Sequence, residues 1–211
     1  MPLKYQAVLF MPILLLDILK NYKVYLCSKS PRRHELLAGM GIDFEYLPTN
    51  VVEQHPKTDN PVEVAEYLSQ LKLSPIRMSD YAPNTIFIAC DTIVVSGDKI
   101  LEKPKDETDA IAMLHELSGD THTVISGLTV ATPQRSLTSH RKSEVRFGQL
   151  SDEEIDYYVR QYRPLDKAGA YGVQEWIGYI GIEAINGSFY NVMGLPTKLL
   201  WEMLKEVVGG R

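Results

Sequence analysis

Ser28-Lys29-Ser30-Pro31-Arg32-Arg33 brings two hydroxyls, a lysine and two arginines together between a strand and a helix. Free backbone N–H groups and the positive end of a helix dipole converge at such a junction, and forked guanidinium donors fit phosphate oxygens two at a time. The chemistry suggested is a phosphate cradle without a Walker motif; the plainer reading is a solvated basic turn at a capped helix. Asp91 is the second candidate, because a carboxylate at the end of the apolar run Ile86 to Ala89 is costly unless something uses it or pairs with it. A turn or helix-capping aspartate is the alternative. Lys103, within Glu102-Lys103-Pro104, adds a cation, and Glu53 adds an acid in a polar loop; alone, each reads as a surface charge. Cleaving a phosphoanhydride needs both signs, since carboxylates hold a divalent metal and basic groups hold the phosphates. A third candidate runs from Asp166 to Gln174, where small residues allow close approach to the backbone and Gln174 can both donate and accept towards a base edge. The five histidines show no metal-ligand spacing and read as structural or exposed, and Cys27 and Cys90 read as small core residues.

These residues need elements to position them. Val24 to Cys27 reads as a buried strand, followed by a helix from Pro31 to about Ala38 with Ser30 as N-cap and Gly39 and Gly41 as stops. Phe44 to Leu47 reads as a strand. Asn60-Pro61 opens a helix whose Val64, Ala65, Leu68 and Leu71 repeat at helical spacing, with Lys72 near its end. The run 86–89 predicts a strand covered on both faces that delivers Asp91 and Thr92 at its far end, before a hairpin about Gly97-Asp98. Asp106 caps a helix to Leu117, and 122–130 and 143–147 have strand character. Ser151 and Glu154 form a capping box for a helix ended by Pro164. A turn at Asn186-Gly187 and a helix from Pro196 to about Val208 complete an α/β domain with a mixed sheet.

The chain has 211 residues and a net charge of −5, so there is no overall basic field for a nucleic-acid polymer, and any anion must be held by a local cluster. Ala7 to Leu16 is uncharged but far short of the roughly 20 residues that span a bilayer. Asp17, Lys20 and Lys23 follow it without a small-x-small cleavage site. Residues 1–20 therefore read as an N-terminal extension, such as a helix packed on the body, and 21–211 as one domain, with a reducing cytoplasm as its setting and no membrane partner.

Taken in order, SKSPRRHELL, CDTIVV, LEKPKD, MLHELSGDTHTVISG, PLDKAGAYGVQ and INGSFYNVMGLP resemble the Maf family of nucleoside triphosphate pyrophosphatases, from about Val24 to about Val207. The resemblance implies an elongated mixed sheet with flanking helices and two lobes around a central cleft. It also implies hydrolysis of a nucleoside triphosphate between its α and β phosphates with Mg²⁺ or Mn²⁺. Asp91 would accept the proton of the attacking water and, with Glu53, hold the metal. Arg32, Arg33, Lys72 and Lys103 would bind phosphate, with Ser28 and Ser30 lining the same cradle. Arg32, Thr92 and Gln174 stand where the branch acting on dTTP and UTP sets its selectivity; a second branch prefers 7-methyl-GTP. The resemblance also implies a cytoplasmic homodimer, the usual state of its members. The chain departs from the pattern at Glu175, in place of a glycine, at Leu73, in place of alanine, and at Cys27, also in place of alanine. The competing expectations are a nucleotide-binding regulator of cell division without turnover and a phosphomonoesterase releasing orthophosphate.

Overall fold

The computed structural model describes residues 14–52, 54 and 56–209. The strands are β1 (Lys23–Leu26), β2 (Glu45–Tyr46), β3 (Thr85–Ser96), β4 (Lys99–Leu101), β5 (Thr121–Ala131), β6 (Ser136–Phe147) and β7 (Ile182–Asn186). The helices are α1 (Leu15–Leu19), α2 (Pro31–Gly39), α3 (Pro61–Leu71), α4 (Glu107–Leu117), α5 (Asp152–Tyr162), α6 (Trp176–Gly181), α7 (Phe189–Met193) and α8 (Thr197–Gly209). One seven-stranded sheet runs β2-β1-β3-β5-β6-β7, with β4 added to β3. β1 is parallel to β2 and β3, and the remaining pairs are antiparallel, so the sheet is mixed as expected.

Local signals account for most helix starts. The Asn60 side chain accepts from the Val62 N–H, the Asp106 side chain from Asp109 N–H, and Ser151 and Glu154 close the expected capping box. Ser30 departs from expectation. It occupies the N-cap position of α2, but its side chain makes no capping bond; Ser28 Oγ instead accepts from the Ser30 N–H.

Because strand residues alternate between faces, the even positions of β3 and β5 look one way and the odd positions the other. On the even face, Ile86, Ile88, Leu128 and Val130 pack with α1, α2 and α8. Further along the same face, Val94 and Val124 pack with α4, α5 and α6. These two helical groups are the lobes, and a cleft lies between them. The odd face is covered by α3 through Val64, Ala65 and Leu68 against Ile93 and Ile125. Leu15 and Leu19 of α1 are buried in the first group, so the part of the N-terminal extension that is described is a helix packed on the body, while residues 1–13 lie outside the described residues.

Two strands differ from expectation. β3 does not stop before Asp91 but runs on to Ser96, 12 residues in all, because β5 hydrogen-bonds along it from Phe87 to Val95 whatever the side chains. β6 begins at Ser136 instead of Ser143, since its first half is largely polar and partly exposed, with no apolar alternation to mark it.

Candidate active site

The cleft owes its position to a gap in the sheet. β1 pairs with β3 only as far as Ile88, where Cys27 N–H donates the last bond at 2.8 Å, and β4 takes up the same edge at Val94. Between them, 89–93 has no strand partner on that side among the described residues. Asp91 therefore lies mid-strand at an open edge, where the parallel neighbour ends, and not at a strand terminus. Asp91 faces the α3 side, where Lys72, at the C-cap of α3, sets its Nζ 2.9 Å from Oδ1. Both groups are nearly buried, with 10% and 13% of their side chains exposed, so each neutralises a charge that would be costly alone.

Thr92, one residue on, faces the other side and joins the cradle. Arg33 donates from Nε to Gly194 O at 2.8 Å, and its two terminal nitrogens donate to Ser28 Oγ at 3.1 Å and Thr92 Oγ1 at 3.2 Å. Arg33 thus holds β1, β3 and the end of α7 together at the cleft wall, a bracing use that the reading as a phosphate ligand did not contain. Thr92 Oγ1 also lies 2.8 Å from Ser126 Oγ, which donates to Asn191 O at 3.2 Å. His34 Nε2 meets Ser28 O at 2.7 Å, so this histidine shapes the loop.

The opposite wall is the stretch from Asp166 to Gln174. Arg32 reaches Asp166 Oδ2 at 3.0 Å, and Lys167 Nζ binds Asp166 Oδ1 at 2.7 Å and Glu175 Oε1 at 3.1 Å. Burial works against the charge on Asp166, but the hydrogen bonds from Lys167 and Arg32 outweigh it and hold the carboxyl below its usual range. Tyr158 donates a short hydrogen bond to Glu175 Oε2 and accepts from the Gly172 N–H at 3.0 Å. Burial and the Glu175 bond push this phenol far above its ordinary range. Gly169 and Ala170 both have positive φ, 67° and 58°; glycine adopts this freely, but Ala170 is strained there and persists only where the surroundings over-determine it. Gln174 lines the cleft, and its Oε1 is buried without a hydrogen-bond partner. An amide oxygen so placed is suited to a donor on a bound molecule.

Ser28, Ser30, Arg32 and Arg33 line one cleft of about 510 Å³ with Lys72, Asp91, Thr92, Lys103 and Gln174. That volume suits a small-molecule ligand. Glu53 lies outside the described residues. Sequence reasoning missed the wall formed by Val192 to Gly194 and the loop from Thr49 to Val51. It also left the roles of Asp166 and Lys167 unassigned. Opposite charges adjacent in sequence were the only signal there, and they do not announce a partner as distant as Arg32.

Fold and site together define an α/β protein with a cleft between two helical lobes, in which the carboxylates of Asp91 and Asp166 meet several cations. The chain belongs to the Maf family: the family model described as "Maf-like protein" matches residues 23–207. It is 45% identical over 192 residues to a dTTP/UTP pyrophosphatase of Parabacteroides distasonis, covering 90% of this chain and 99% of that protein. It is 47% identical to proteins of the same name from Porphyromonas gingivalis, covering 91% and 98%, and Phocaeicola vulgatus, covering 92% and 100%. Among solved structures, the Ham1 protein of Staphylococcus aureus is similar at a TM-score of 0.45 and 14% identity, covering 87% of this chain and 98% of that one.

Proposed function

We propose that the protein is a nucleoside triphosphate pyrophosphatase acting on dTTP and UTP. The observation that carries this is the layout of one cleft: Asp91 paired with Lys72 at the open edge of β3, cations on the walls, and the unpartnered Gln174 amide oxygen. The relatives named dTTP/UTP pyrophosphatase support the choice of nucleotide.

In this reading Arg32, Lys72 and Lys103 hold the polyphosphate, and Arg33 keeps the cradle in shape. Asp91 takes the proton of a water whose oxygen bonds to phosphorus at the α–β bridge. The bond from that phosphorus to the bridging oxygen breaks, and the monophosphate and pyrophosphate leave. Among the described residues no three His, Cys, Asp or Glu gather as a metal cage. The Asp91 carboxylate beside a polyphosphate nevertheless fits Mg²⁺ or Mn²⁺, which such sites bind through one or two carboxylates and substrate oxygens. Asp91, with Glu53, would hold that ion, which supplies positive charge to the phosphates.

Thymine and uracil present two carbonyl acceptors flanking one N–H donor, and Gln174 carries a matching acceptor and donor on one side chain. Glu175 does not favour the cationic base of 7-methyl-GTP, because its carboxylate is turned to Lys167 and Tyr158. A cytoplasmic setting and a homodimer belong to the same proposal. No helix of the described residues is long and apolar enough to cross a membrane.

The test is a panel of nucleoside triphosphates with Mg²⁺ or Mn²⁺, assayed separately for pyrophosphate and orthophosphate. Pyrophosphate release is expected, with dTTP and UTP above CTP and 7-methyl-GTP far below. Orthophosphate as the first product would make the protein a phosphomonoesterase, and binding without turnover would make it a regulator.

A further inference from the structure

Arg32, Asp166, Lys167 and Glu175 form an unbroken chain of alternating charge across the cleft wall, with contacts of 3.0, 2.7 and 3.1 Å. Its inner end is fixed by Tyr158, whose single hydroxyl donates to Glu175 Oε2 and accepts from the Gly172 N–H. Glu175 is also folded back against the loop: a Cβ on Gly172 would stand 2.7 Å from Glu175 Cδ and 2.9 Å from Oε2, so a side chain there would have to displace this carboxylate. The outer end of the chain is the phosphate-facing Arg32. The inner end adjoins Gln174, the next residue in the chain, and reaches the Gly172 backbone through Tyr158.

We infer that Glu175 is a positioning residue that couples base selection at Gln174 to phosphate holding at Arg32. This rests on the reading of the cleft as a dTTP and UTP pyrophosphatase site. The physical reason is charge balance. Lys167 is 7% exposed and divides its ammonium between two carboxylates. When a phosphate draws Arg32 away from Asp166, Asp166 turns more fully to Lys167, and the hold of Lys167 on Glu175 loosens. The Gly172 backbone and the orientation of Gln174 change with it. A neutral residue at position 175 cuts that line while leaving Arg32 and Gln174 in place.

The experiment compares wild type with Glu175→Gln, which keeps the size of the side chain and removes its charge. Pyrophosphate release from dTTP and from CTP gives kcat and KM for each. The expected result is a fall of about tenfold in the dTTP to CTP ratio of kcat/KM, with kcat on dTTP reduced less than about threefold, within the range for members of one ion-pair network. A cycle with Arg32→Lys should be non-additive by more than about threefold in kcat/KM for dTTP. A ratio within about twofold of wild type, an equal loss on both nucleotides, or an additive cycle would each overturn the coupling. If Glu175→Gln does not fold, Tyr158→Phe removes one oxygen from the same line and is expected to flatten the ratio likewise; an unchanged ratio there overturns the proposal. A wild-type protein that releases no pyrophosphate from dTTP or UTP defeats the assignment of activity itself. Active wild type beside an unaltered variant ratio defeats only the coupling.

Discussion

Asp91 and Lys72 make the most consequential contact at the scale of single residues. Asp91→Asn keeps the shape of the side chain but can neither take a proton nor balance the ammonium 2.9 Å away. Pyrophosphate release is expected to fall by about 10² to 10⁴, the usual loss with a general base, while circular dichroism stays that of a folded protein. Near wild-type turnover in a folded variant would remove Asp91 from the chemistry. Asp91 was legible in sequence because a carboxylate after four apolar residues demands an explanation. The basic turn was legible because its hydroxyls and guanidiniums sit beside a helix start. Glu175 was not. As an acid in place of the family's glycine it carried no local sign of its partners, Lys167 and Tyr158. The ion pair from Arg32 to Asp166 joins residues 134 positions apart, and nothing local encodes it.

Among the elements, α3 sets the site, since its C-terminus carries Lys72. It lies close on β5 because Gly127 has no side chain: a Cβ there would stand 2.1 Å from Ala65 O and 2.3 Å from Ala65 C. Both atoms belong to helix backbone and cannot swing aside. Gly127→Ala is therefore expected to push α3 off the sheet, costing about 3 kcal/mol or more. Turnover should fall together with the thermal midpoint, because Lys72 leaves Asp91. An unshifted melting curve would refute this account of the packing. Helices were read well because their caps are local: Asn60, Asp106 and the pair Ser151 and Glu154 each act within one turn. Strand ends were read less well, since β3 is extended and β6 begun by partners elsewhere in the chain. α6, β7 and α7 went unread because they are short and lie among glycines and exposed aromatics.

For the molecule as a whole, the α/β domain with a mixed sheet followed from alternating strands and helices, whereas flanking helices and two lobes around a cleft were implied by the family resemblance and the alternation did not place that cleft. Its place depends on where β1 ends against β3, which is a matter of register. One global property can be checked by titration. His122 is buried, with Nε2 2.8 Å from the Tyr171 hydroxyl, and burial, weakly opposed by Asp120, lowers its pKa to about 4. An unfolded histidine titrates near 6.5, so the unfolded chain binds more protons between the two values. The resulting stability is whole above about pH 6.5 and is lost as pH falls towards 4, by about 3 kcal/mol in all. Calorimetry should show the thermal midpoint declining over that window, and a double variant His122→Phe and Tyr171→Phe, which removes both polar partners at once, should decline less. An equal slope would place the acid sensitivity elsewhere. Finally, Cys27 and Cys90 are 1% and 0% exposed, and burial lifts the Cys27 thiol to about 12 and the Cys90 thiol above its usual value, so neither offers a thiolate at neutral pH. Both flank the open edge of β3, Cys90 inside the core of the first helical group and Cys27 in a separate cluster that borders the cleft, and so the protein carries a built-in chemical clock: alkylation by a maleimide can advance only when that packing opens, and a nucleotide seated in the cleft should slow it at Cys27.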